Sequence, residues 1–265
     1  MFSPVFLQCG SWIKVRIQRM EPDLYDIAKS AAEAEYLKEI HTSLVKKLAA
    51  KQTQISELLS RAEELVSQQP TEGQAMVYSA MSSSLNKAWR ELLDVLGKRG
   101  NLLEMAADCF VSADAVRAAA TRITDPSFLA DWGDSVESIE KLIQEHEDLR
   151  RIELLEPTRC MLEAANGALE LLARMAAHTG QSEDSNLARA CAEARERIAS
   201  VTSAANEARR AAEVAWFRRR RLLYLRLVVV KLETEHERIM RWFGEVSSLQ
   251  CCGVQWIPHW DILAQ

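Results

Sequence analysis

SLNKAWRELLDVLGKRGNLLEMAADCF, residues 84–110, carries apolar side chains at Leu85, Trp89, Leu92, Leu96, Leu103, Ala106 and Phe110. The spacings of 4, 3, 4, 7, 3 and 4 lay them on one stripe of an α-helix. No proline interrupts the chain between Pro70 and Pro126, so the pattern predicts one helix over residues 71–123. Gly97 and Gly100 each cost about 1 kcal/mol relative to alanine and leave the period intact. A helix of roughly 50 residues is about 75 Å long, more than a compact domain of this size requires. Its stripe has to be buried against other long helices, and an all-α, rod-like arrangement is expected.

The flanking sequence repeats the pattern. Over 28–68, Leu37, Ile40, Leu44, Leu48, Ile55, Leu58, Ala62 and Leu65 line one face, and Pro70, Thr71 and Gly73 break the helix. After Asp125, Pro126, Trp132 and Gly133, with Asp134 or Ser135 as cap, a helix over 135–177 is expected. Its stripe runs Ile139, Leu142, His146, Leu149, then Leu162, Ala165, Leu169, Leu172, and the change of phase predicts a kink or loosening at Pro157. Residues 178–185 read as a turn. From Leu187 an Ala-rich helix continues through Ile198, Val201, Ala205, Ala208 and Ala212 into WFRRRR. The pattern then resumes at Leu222, Leu225, Val229, Leu232, His236, Ile239, Phe243 and Val246. Val5 to Ile17 is expected to form a short strand-like cap, with an alternation of period two from Ile13 through Lys14, Val15 and Arg16 to Ile17. An internal repeat is also present. Leu37, His41 and Leu44 match Leu142, His146 and Leu149 at an offset of 105, and Ala62 and Leu65 match Leu169 and Leu172 at 107.

Composition narrows the function classes. Hydrophobic residues make up 48% and charged residues 27%, with only 9 Gly and 6 Pro, which favours long helices. A net charge of −5 gives no global field for nucleic acid. Six scattered cysteines suit a reducing compartment, where Cys109, Cys160 and Cys191 act as small hydrophobes within helices. Met1 to Gly10 is too short and too poorly flanked for a signal peptide, and no run of 18 apolar residues occurs. A cytoplasmic chain without a transmembrane segment is expected. There is no glycine-rich phosphate loop, nucleophile elbow or HExxH pair, so no catalytic residue, cofactor or enzymatic activity is assigned. Cys251, Cys252 and His259 supply only three ligands in a short segment, and no metal is assigned.

Residues 84–110 resemble the first helix of a spectrin repeat. In that family a first-helix tryptophan sits in the triple-helix core, and Trp89 holds that place, followed by Leu92, Leu96 and Leu103, with Phe110 near the far end. LIQEHEDL, residues 142–149, resembles the second helix, and 187–212 the third, running unbroken into a following repeat. Helices 28–68 and 71–84 resemble the last two of a preceding repeat. The order of CGSWIKVRI, the Trp89 segment, ESIEKLIQEHEDL and the RWF at 241–243 makes residues 1–250 resemble the amino-terminal region of a spectrin-like scaffold.

The resulting division is a strand-like cap at 1–22, a partial repeat at 28–84, a complete repeat at 85–212, the first helix of another at 213–250, and an atypical tail at 251–265. The core is assigned to Trp89, Leu92, Leu96, Leu103, Phe110, Leu142, His146 and Leu149. His41, His146 and His236 lie on or beside apolar stripes and read as interhelical histidines. Arg218, Arg219, Arg220 and Arg221 point all round a helix and cannot all be core. They read either as a solvated junction pairing with nearby glutamates or as a contact for an acidic protein surface, actin or anionic lipid. The resemblance implies a non-enzymatic, cytoskeleton-associated scaffold that binds protein partners, with roles in cell migration or in actin or centrosome organisation, and with homodimerisation open. Two alternatives remain: the amino-terminal spectrin-repeat region of a Rho guanine nucleotide exchange factor, and a membrane-binding helical dimer.

Overall fold

A computed structural model describes residues 11–13, 24–68, 72–179 and 185–251. Among the described residues from Ala31 onward the α-helices are, in order, α1 (Ala31–Gln68), α2 (Glu72–Thr124), α3 (Pro126–Ala130), α4 (Val136–Asp148), α5 (Glu156–Thr179) and α6 (Ser185–Cys251). A π-helical stretch, Leu149–Leu155, joins α4 to α5. Among the described residues there is no strand. The expected strand-like cap is corrected at Ser11, Trp12 and Ile13, which are helical. Helical backbone satisfies its own N–H and C=O groups, whereas a strand needs a neighbour to pair with. The rest of that cap and the tail beyond Cys251 lie outside the described residues.

Short-range chemistry sets the helix ends. Asp125 caps α3, its carboxylate accepting from the Ser127 N–H at 2.7 Å. Ser135 and Ser138 exchange side-chain and backbone hydrogen bonds of 3.2 and 3.0 Å in a reciprocal capping box that starts α4. Gly133 precedes this cap at φ +70°, and a Cβ there would lie 2.8 Å from the Ser138 hydroxyl. A side chain is excluded on both grounds. The phase change near Pro157 takes the form of the π stretch just upstream. Pro157 has no N–H and crowds the carbonyl four residues back. A π turn bonds five residues back and absorbs an extra residue, which re-phases the stripe. After it, Leu154, Met161, Ala165, Ala168 and Leu172 are buried while Leu162 is 40% exposed. The core stripe therefore uses Met161 rather than the expected Leu162.

The chain divides into two compact units. The first comprises the described residues up to Ala118 together with Glu153–Arg209; the second comprises Ala119–Ile152 and the described residues from Arg210 onward. In the first unit Trp89 is 5% exposed, in a cluster with Leu85, Leu92 and Leu96 of α2, Leu48, Ile55 and Ala62 of α1, and Ile13. This core straddles the 84/85 division expected from the sequence, because α2 packs along α1 over that stretch. Farther along α2, Leu103 and Phe110 are also buried. There α2 meets α5 closely, since a Cβ on Gly167 would lie 2.7 Å from the Met105 sulfur. Burial pushes the Cys109 thiol up to about 11, and the residue acts as a small hydrophobe.

The segment before α1 is also anchored within this unit. Ala28 is fully buried at φ +71°, a conformation that costs an L-residue roughly 1–2 kcal/mol. Asp26 accepts from the Ala28 N–H at 3.1 Å, and Arg197 of α6 donates to the Ala28 carbonyl at 3.3 Å while lying 3.5 Å from Asp26. Truncating the central tryptophan tests the packing of the first unit. Trp89→Ala should cost about 3–5 kcal/mol through the cavity it leaves, read as a lower urea midpoint. A change below about 1 kcal/mol would remove Trp89 from the core.

Candidate functional site

The internal repeat places two histidines in equivalent roles. In the first unit His41 of α1 is 7% exposed and hydrogen-bonds the backbone of Leu96 on α2. A Cβ on Gly100 would lie 3.1 Å from His41 Nε2, so this glycine, costly in mid-helix, leaves room for the imidazole. In the second unit His146 of α4 is 2% exposed. Its Nε2 lies 3.0 Å from the Trp216 carbonyl of α6, and Trp216 Nε1 donates to the His146 carbonyl at 2.8 Å. The two rings stack at 5.0 Å with 12° between their planes. Because a carbonyl only accepts, Nε2 carries the proton and Nδ1 is the bare nitrogen. In both histidines Nδ1 is buried without a partner. Desolvation is the main cause holding each below the ordinary histidine value, with Arg99 adding for His41 and Arg219 for His146. Both are packed as neutral rings. His236, by contrast, is exposed, so it is not buried between helices of its own unit as the other two histidines are.

The arginine run separates by helical position. Arg219 is 3% exposed, with its guanidinium carbon 4.0 Å from the Phe128 ring centroid and Nη2 donating to the Asp131 carbonyl at 3.1 Å. Arg220 donates to Glu147 at 2.5 Å and lies over the Trp216 and Tyr224 rings at 5.6 and 5.2 Å. From α4's end of the chain, Arg150 covers the other part of Trp216 at 4.8 Å and pairs with Glu213 at 3.7 Å. Arg218 and Arg221 are exposed. The four arginines therefore do not form one contact surface: Arg219 is internal, Arg220 is engaged with α4, and two face outward. This corrects the grouping that underlay the membrane reading.

Trp216, Phe128 and Asp131 were not singled out from the sequence, although a signal for Trp216 existed. Extending the Ala205 and Ala212 stripe by 4, 3, 4 and 7 residues reaches Trp216, Arg219, Leu223 and Val230, all of them buried. The charge on Arg219 masks that periodicity. The competing stripe through Leu222, Leu225, Val229 and Leu232 is 39–65% exposed. Of the remaining expected core positions, Leu149 is buried and Leu142 half-buried.

Among the described residues, no three His, Cys, Asp or Glu side chains converge in a metal-binding group. Cys252 and His259 lie outside those residues. No described helix is long and apolar enough to cross a membrane.

The comparisons agree with the helical reading. The spectrin repeat family model matches residues 6–105, a span that contains the whole Trp89 cluster. Human (Homo sapiens) coiled-coil domain-containing protein 141 is 30% identical over 156 residues, 59% of this chain and 10% of that protein. Its rat (Rattus norvegicus) counterpart is 31% identical over 107 residues, 40% of this chain and 7% of that protein. The match thus spans a tenth or less of either relative.

Two measurements follow from this geometry. Folding lowers the proton affinity of His41 and His146, so below their ordinary value of 6.5 the unfolded chain binds more protons than the folded one. Stability is full above that pH and falls as pH drops through and below it. Urea midpoints should therefore decrease between about pH 7.5 and 5.5, and a His41→Gln, His146→Gln chain should lose most of that slope. Arg219→Ala should destabilise by about 2–4 kcal/mol through lost packing over Phe128, whereas Arg218→Ala should stay within about 0.5 kcal/mol. Equal thermal shifts would contradict the burial of Arg219.

Proposed function

We propose that the chain is a non-enzymatic, cytoskeleton-associated scaffold that holds protein partners on its helical faces, in cell migration or in actin or centrosome organisation. The observation that carries this reading is the exposed apolar stripe on α6, where Leu225, Leu232, Ile239 and Phe243 stand 48–65% exposed. Contiguous apolar surface on a helix is a binding feature in water. The spectrin repeat match over 6–105 and the similarity to coiled-coil proteins support the same class. Buried and paired arginines leave only Arg218 and Arg221 outward from the run, which weakens the membrane-dimer alternative.

Detergent extraction of cells producing the full chain, followed by sedimentation of purified chain with actin filaments or microtubules, tests the proposal. The chain should stay with the insoluble cytoskeleton and co-sediment with one filament type. Loss from both pellets at physiological ionic strength would remove the cytoskeletal assignment.

A further inference from the structure

One surface of the second unit has a regularity that its own packing leaves unused. On α6, Leu222, Val229, His236 and Phe243 recur every seven residues. Leu225, Leu232, Ile239 and Val246 follow each of them by three. This is an a/d heptad seam, sustained long enough to specify a coiled coil. It lies on a different face from the stripe through Trp216, Leu223 and Val230, which the unit buries. Val228 and Trp242, beside the seam at g positions, are 55% and 57% exposed and widen it. The 22 residues from Leu222 to Phe243 give a contact line about 33 Å long.

We propose that this seam pairs with the same seam of a second copy of the chain, in antiparallel orientation about a two-fold axis. The flanking charges select both occupant and direction. Arg226 and Glu233 hold successive e positions, and Arg221 and Trp242 hold g positions. An antiparallel pair sets e against e and g against g. With Val229 layered on Leu232 of the second copy, Arg226 falls level with Glu233 and Arg221 level with the Trp242 ring. Symmetry makes each contact twice. A parallel pair would instead set each g residue against the e residue five further on, and so Arg221 against Arg226, a like-charge clash at each flank. The self-complementary sequence favours a second copy, and the clash weighs against the parallel arrangement. This inference rests on the same stripe that carries the scaffold reading and gives that stripe a second copy as its occupant; a dimer that fails to co-sediment with filaments, or a monomer that does co-sediment, tells the two failures apart.

Sedimentation velocity on the full chain across a concentration series tests it. The wild-type chain should show a reversible monomer–dimer equilibrium, abolished by Leu232→Glu, a 65% exposed position, without change in melting temperature. Arg226→Glu should weaken the dimer about tenfold or more by facing Glu233 with a like charge. Adding Glu233→Arg should restore the affinity to within about threefold of wild type. Glu233→Arg alone reads the same contact should Arg226→Glu fail to fold. A chain that is monomeric throughout overturns the proposal and leaves the seam to another protein. A dimer tightened by Arg226→Glu overturns it in favour of a parallel pair, and a dimer indifferent to all these changes places the contact elsewhere.

Discussion

A single apolar stripe on a long helix cannot be buried by that helix. This constraint governs the protein from Ala31 onward, because α1, α2 and α6 each extend well beyond one layer of packing. Nucleation and propensity alone give such helices marginal stability in water, and most of it comes from side-by-side contact. The Trp89 cluster shows the solution. α2 lends its stripe to α1 and Ile13 along one stretch and to a closer neighbour at Met105 and Gly167 farther on. Each helix is thus shared by successive contacts along its length.

Close packing of this kind leaves backbone carbonyls facing side chains of the neighbouring helix, and the two equivalent histidines exploit them. An imidazole fills a core position while its one N–H satisfies a carbonyl across the interface, provided it stays neutral. At His146 the arrangement is reciprocal, with Trp216 returning its own N–H to the His146 carbonyl. That flat aromatic pair then supplies the faces on which Arg150 and Arg220 lie. The charged side chains of this region are therefore largely structural. Their long stems cover apolar surface, and their heads reach carboxylates or carbonyls at the edge.

The two stripes of α6 illustrate how one helix can serve two purposes. The stripe containing Trp216 is consumed by the second unit, and the one containing Leu225 and Leu232 is presented outward. A segment patterned on two faces has more apolar surface than its own unit can cover.

The sequence by itself determined the helical class, the ends of α1 and α2 and the start of α6 to within a few residues, the burial of Trp89 and the disturbance near Pro157, but not the short helix α3. All of these depend on relations between residues a few positions apart: the 3–4 spacing, a missing N–H, a capping serine. Which apolar stripe of α6 turns inward was decided only by the tertiary structure, and so was the fate of each arginine. Both stripes satisfy the same local period, and Arg219 becomes internal only because Phe128 and the Asp131 carbonyl, 88 residues away in sequence, stand where its guanidinium arrives. Periodicity specifies that a face will be buried. The neighbour that buries it is set by non-local packing, which no local pattern contains.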